Sequence, residues 1–204
     1  MMRMWTGLLL IAFASAALAH KPSDSYLMLT TNSVEANVQG QWDIALRDLD
    51  LALDLDADRD GAITWGELRA REHDLYDYAF KHLTLTAQTQ SCALRAGDLL
   101  ADDHSDGAYA VLRFSASCAA AVRELGVDYR LLFDLDPSHR GLLRIDVDGA
   151  SRSAVLSPDR PVQQFDLAQT ARWNTFVQFV GDGMHHIWIG YDHMLFLISL
   201  LLPA

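Results

Sequence analysis

The sequence is poor in the residues that most often announce chemistry. It holds two cysteines, Cys92 and Cys118, in 204 residues. A cysteine-rich metal cluster needs more thiols or nearby histidines than this, so a disulfide is the natural reading of the pair in an oxidising compartment. Such a bridge closes a loop of about 26 residues and is worth roughly 3 kcal/mol in the chain-entropy description. Basic residues are also scarce. Sixteen Lys and Arg stand against 27 Asp and Glu, a formal charge of −11. That balance argues against nucleic acid and anionic lipid headgroups as partners and is compatible with cations. The chain has no internal repeat, no low-complexity tract, no phosphate-cradling glycine loop and no nucleophile–base motif. The expectation is a protein that is not an enzyme, with no catalytic residues. A membrane metallohydrolase using the C-terminal His and Asp residues is the remaining enzymatic rival, and it lacks an evident general base.

The two ends of the chain are apolar. Residues 1–19 read as a secretory signal: Arg3 gives the positive end, Leu8–Phe13 the apolar core, and Ala17-Leu18-Ala19 a small-x-small cleavage site before His20. An uncleaved anchor is the alternative. At the other end, residues 183–204 run GMHHIWIGYDHMLFLISLLLPA, expected to be one transmembrane helix with residues 173–182 as a juxtamembrane segment. Trp173 and Trp188 suit an interfacial aromatic belt. Inside this run stand His185, His186, Asp192 and His193. An Asp in hydrocarbon costs ~2.5–3.5 kcal/mol on insertion scales, so such residues usually carry a function. At about 100° per residue these four and Asp182 fall within an arc of about 120°, while Ile187, Trp188, Tyr191, Met194, Leu195 and Ile198 occupy the far side. Imidazole and carboxylate suit divalent transition metals without choosing among them. On a regular helix His186 and His193 lie about 10.5 Å apart along the axis, so one ion needs further ligands from neighbouring helices. Interhelical hydrogen bonding without metal is the alternative use of the stripe.

Between the ends lies an exported domain, residues 20–172, expected to be α+β. Ser25–Thr31 and Ser33–Gly40 alternate apolar and polar residues about Asn32 and predict a β-hairpin. From Trp42 the spacing of Trp42, Leu46, Leu49 and Leu53 predicts a helix. A second helical run carries Trp65, Leu68, Leu75, Ala79 and Leu83 on one face. Between them Asp56-Ala57-Asp58-Arg59-Asp60-Gly61-Ala62-Ile63-Thr64-Trp65-Gly66-Glu67 fits the twelve-residue EF-hand calcium loop at each key position. Ca²⁺ takes six to eight hard oxygens. Asp56, Asp58 and Asp60 supply side-chain oxygens, Gly61 the sharp turn, Ala62 a carbonyl, Thr64 a direct or water-mediated contact, and Glu67 two closing oxygens. A solvated acidic turn is the bland alternative. The sequence holds one such loop, so a structural ion is expected over a sensor. After this EF-hand-like unit, 42–83, residues 84–165 hold six short β runs punctuated by turn clusters, which predicts a small antiparallel β-sandwich.

His20, as a new N-terminus, His73 and His82, and the Asp134, Asp136, His139 group beside Pro137 are lesser candidates, each more simply read as a terminus, surface residues and an acidic turn.

The His186-x5-Asp192-His193 signature, together with AHKPSDSYLML near the start and the LRDLDLALDLDADRDGAITWGELRA block, resembles the HupE/UreJ family of bacterial membrane proteins. That resemblance implies an exported N-terminal domain ahead of a transmembrane bundle, an inner-membrane location with the domain in the periplasm and the C-terminus cytoplasmic, and uptake of nickel or a related divalent cation. It implies that His186, Asp192 and His193 handle the metal. His185 has no place in the signature but shares the polar stripe. Relatives continue into several more helices, so the expectation is a chain truncated after its first, dependent on missing or separate transmembrane helices. A membrane-anchored calcium-binding exported module without transport activity is the alternative.

Overall fold

The computed structural model describes residues 23–167; the signal segment, His20, the juxtamembrane segment and the expected membrane helix lie outside them. Among the described residues, no helix is long and apolar enough to cross a membrane.

Thirteen elements follow one another: β1 Asp24–Thr31, β2 Asn37–Ala45, α1 Leu46–Leu53, α2 Trp65–Ala70, α3 Glu72–Lys81, β3 Leu83–Ala87, β4 Gln90–Ser91, β5 Ala93–His104, β6 Gly107–Ser117, β7 Glu124–Tyr129, β8 Arg140–Val147, β9 Ala150–Leu156 and β10 Val162–Asp166. They form a six-stranded sheet in the order β5-β6-β2-β1-β8-β9 and a four-stranded sheet in the order β10-β7-β3-β4. Leu27, Leu29, Trp42, Leu112 and Leu143 of the first sheet and Leu85, Leu125, Val127 and Tyr129 of the second share one buried core. The strands of both sheets alternate buried and exposed residues, which is what a two-layer sandwich requires of a chain with period-2 patterning.

Three sequence expectations are corrected. The sandwich is not wholly antiparallel, because β1 runs parallel to β8. A parallel pair needs a long crossover, and residues 32–139 lie between these two strands. The first hairpin has a longer connection than a turn at Asn32: residues 32–36 are loop, and the Asn32 carboxamide oxygen accepts from the backbone N–H of Val34 and Glu35, a side-chain turn of the kind Asn favours. The helix expected from Trp42 starts at Leu46. Trp42, Asp43 and Ile44 are strand residues, paired on one side with Leu27, Tyr26 and Ser25 and on the other with Leu112, Val111 and Ala110. Two flanking ladders outweigh a local helical spacing in a central strand.

The second helical run also divides. Leu68, Leu75 and Ala79 are buried as expected, but Trp65 is 45% exposed and Leu83 begins β3. The break falls at Arg71, whose guanidinium donates to the carbonyls of Leu53 and Asp54 at the end of α1. A disulfide joins Cys92 to Cys118, Cα–Cα 4.2 Å. It ties the open end of the β5–β6 hairpin, one residue beyond the Ala93–Ser117 pair.

The helices α1 to α3 are thus inserted between β2 and β3. The segment joining α1 to α2 hangs from the end of β2 at Ala45. The last described residue, Leu167, leaves from the other end, where its N–H donates to Arg123 and Val122 donates to Glu35 in the β1–β2 connection. The nine residues of β2 separate the two ends, about 30 Å at 3.3 Å per residue.

Candidate metal centre

The loop between α1 and α2 is built from its own carboxylates. α1 ends with Asp54 in the left-handed region at φ 53°, and the Asp50 carboxylate accepts from the N–H groups of Leu55 and Asp56 at 2.7 and 3.1 Å. Asp50 thereby fixes where the loop begins. Asp56 Oδ1 accepts from Asp60 N–H and Oδ2 from Gly61 N–H, while Asp58 and Asp60 accept from the amides two residues on. Gly61 lies at φ +87°, where a side chain is strained, which is the reason glycine stands at the sharp turn.

Asp56, Asp58 and Asp60 each bring a carboxylate oxygen within 4.8 Å of the other two. Two oxygens bound to one calcium at 2.3–2.6 Å are at most about 5 Å apart, so this spacing fits a single hard cation. Among the described residues it is the one group of three or more acidic, His or Cys side chains with metal-holding geometry. Asp58 and Asp60 are exposed and Asp56 is half-buried.

Glu67 stands at the first turn of α2 and spans the mouth of the loop. One carboxylate oxygen accepts from Ala57 N–H at 2.9 Å, the other from Thr64 N–H at 2.9 Å and the Thr64 hydroxyl at 2.8 Å. Thr64 Oγ1 accepts in return from Glu67 N–H, which completes a capping box. These hydrogen bonds, the Thr64 amide first, hold the Glu67 carboxyl below the ordinary range, so it stays ionised where a cation would need it. The Ala62 carbonyl and Thr64 lie along the same loop, but the three-carboxylate group does not include them.

The lesser candidates separate. His73 is exposed and 3.6 Å from Asp77. His82 Nδ1 lies 2.7 Å from the Tyr78 carbonyl. Asp136 accepts from the Ser138 N–H and hydroxyl, which lower its pKa, and it forms an ordinary turn. His139 departs from that turn: it is fully buried. Its Nδ1 is 2.5 Å from Ser23 Oγ and its Nε2 is 2.6 Å from the Tyr129 hydroxyl. The acidic neighbours and the proline disguised this in the sequence. The buried-exposed alternation of the following strand, Gly141, Leu143, Ile145 and Val147 inward, is the signal that places residue 139 inward too.

His185, His186, Asp192 and His193 lie outside the described residues. Comparison with known proteins bears on them directly. No curated protein matches the chain. The family model described as HupE / UreJ protein matches residues 163–204, so over this segment, which contains the whole His-x5-Asp-His signature, the chain is similar to the HupE/UreJ family.

Proposed function

We propose that this chain is part of a divalent-metal uptake membrane protein, with nickel as the cargo, and that its exported sandwich is stabilised by calcium. The observation that carries the uptake reading is the HupE/UreJ match over residues 163–204. His186, Asp192 and His193, with His185 beside them, supply imidazoles and a carboxylate to a partly dehydrated cation. Such groups are costly in hydrocarbon and are retained where they serve an ion path. Neighbouring transmembrane helices complete the coordination. The inner membrane is the location, with the sandwich in the periplasm and the C-terminus in the cytoplasm.

Calcium is held at the Asp56–Glu67 loop by Asp56, Asp58, Asp60, the Ala62 carbonyl, Thr64 and Glu67. The support is the 4.8 Å grouping of the three aspartates and the ionised Glu67 across the loop mouth. The ion supplies charge neutralisation to a tight cluster of carboxylates and so favours the folded loop. The loop and the chain's exit at Leu167 lie at opposite ends of β2, which favours a structural role over a place on the cargo's path.

Radioactive nickel uptake into membrane vesicles bearing the chain together with the transmembrane helices that complete its site tests the first reading. Asp192→Ala and His193→Ala are expected to cut accumulation while membrane insertion is unchanged. Equal uptake by both variants and parent removes the transport assignment and leaves the calcium-binding membrane-anchored module.

A further inference from the structure

A continuous chain of hydrogen bonds runs through the sandwich core and ends on the incoming helix of the calcium loop. Trp42 Nε1 donates to Ser25 Oγ at 3.1 Å. Ser25 Oγ lies 2.6 Å from the Tyr129 hydroxyl, which lies 2.6 Å from His139 Nε2. His139 Nδ1 lies 2.5 Å from Ser23 Oγ, and Ser23 donates to Asp48 Oδ2 at 2.7 Å. Trp42, Ser25, Tyr129 and His139 are wholly buried and Ser23 nearly so.

The two ends fix every proton between them. An indole N–H only donates and an ionised carboxylate only accepts. Ser23 spends its single proton on Asp48, so His139 Nδ1–H donates to Ser23. His139 Nε2 then carries a lone pair and accepts from Tyr129. The Tyr129 proton is committed, so Ser25 donates to Tyr129 and accepts from Trp42. Five bonds share one direction and no member lacks a partner. A second proton on His139 would turn Tyr129 from donor to acceptor at Nε2 and leave one hydroxyl proton of the Ser25–Tyr129 pair without an acceptor in the chain.

The chain adds a polar anchor near the start of α1, whose far end is held by Arg71 at the Leu53 and Asp54 carbonyls and by Ala52 and Leu53 packed against the core. Its N-cap, Ala45, offers no side-chain cap, and only Leu46 and Leu49 are buried. Two residues after Asp48, Asp50 receives the Leu55 and Asp56 amides that start the loop. EF-hand loops commonly work in pairs, each steadying the other's helices; the sequence holds one.

We propose that Ser23 and His139 are positioning residues for the calcium site, setting its affinity by locking Asp48, and with it α1 and Asp50, onto the sandwich. The proposal rests on the calcium reading above. Asp48 moves with the helix that carries Asp50, so a loosened Asp48 costs the loop its preset geometry before the ion arrives.

The test is calcium titration calorimetry on the full chain in detergent, alongside hydrogen exchange at the Leu55 and Asp56 amides without calcium. Ser23→Ala is expected to raise the calcium Kd at least about fivefold, the lower end of usual coupling between sites, and to speed exchange of both amides. Ser23→Thr, which keeps the hydroxyl, is expected to restore both. Val127→Ala, a core truncation in the four-stranded sheet, lowers stability and is expected to leave the Kd unchanged. Ser23→Ala with the parent's Kd and exchange rates overturns the positioning role alone. So does a Kd that rises equally in Val127→Ala, since the effect is then general loosening. A parent that gives no calcium heat removes the calcium reading and this proposal with it.

Discussion

Acidification is expected to weaken the sandwich through one buried residue, His139. His139 is fully buried and lies within a hydrogen-bond chain that suits only the neutral ring. Burial is the main cause that lowers its pKa, from the ordinary 6.5 to about 4, against the opposing pull of Asp48, Asp136 and Asp24, and with help from Arg140. The unfolded histidine takes up a proton as pH falls through 6.5 while the folded one stays neutral until about 4. The unfolded state therefore binds more protons across that window, and stability falls as pH falls. Each tenfold difference in proton affinity between the two states is worth about 1.36 kcal/mol. The whole window is then worth roughly 3 kcal/mol, and the step from pH 7 to pH 5 about 2 kcal/mol. Glu67, Asp136 and Asp146 have lowered pKa values and lose their contributions only at more acid pH. Asp43, raised by burial, has the opposite sign. The opening free energy of the β1 and β8 amides, read by hydrogen exchange after correction for intrinsic rates, reports the sandwich itself in the full chain. The parent is expected to lose about 2 kcal/mol between pH 7 and 5, and His139→Gln, less stable at pH 7, to lose far less over the same interval. A flat parent, or an equal slope in the variant, refutes the buried neutral histidine.

Calcium at 10 mM is expected to raise the parent's melting temperature by about 3–10 °C, from about 1.4–2.7 kcal/mol of linkage at the 10⁻⁴–10⁻³ M affinities of extracellular modules; Glu67→Gln abolishes most of that rise, and calorimetry with and without the ion checks both. Thr64→Val removes the capping hydroxyl of α2 and costs about 1 kcal/mol in denaturant unfolding. Gly141→Ala places a methyl carbon 2.8 Å from the Tyr129 ring and is expected to cost about 1–3 kcal/mol by overpacking, again by unfolding. Reducing Cys92–Cys118 frees the end of the β5–β6 hairpin and lowers stability by roughly 3 kcal/mol, measured with and without reductant.

What was legible in the sequence was what local pattern determines. Alternation located most strands, and the spacing of Asp56, Asp58, Asp60, Gly61 and Glu67 located the loop together with the geometry its aspartates adopt. The rest depends on partners distant in sequence. Trp42 has helical spacing with Leu46 and Leu49, yet β1 and β6 claim it from either side. The parallel pairing of β1 with β8 has no local signature. Arg71 sits in a helical run and ends it because its guanidinium finds the α1 carbonyls. His139, beside two aspartates and a proline, reads as surface; Ser23, 116 residues away, and Tyr129, ten residues before it on β7, make it core. Polar residues that serve buried networks are the hardest to assign from one sequence, since the pattern that marks them as polar also marks them as exposed.

X-ray absorption at the nickel edge, on the purified full chain loaded with one equivalent of nickel, tests the uptake reading most directly. Nickel–nitrogen scattering from imidazole that disappears in a His185→Ala, His186→Ala, His193→Ala variant is the expected result. A shell of oxygen alone, or an imidazole signal that survives those three substitutions, contradicts it.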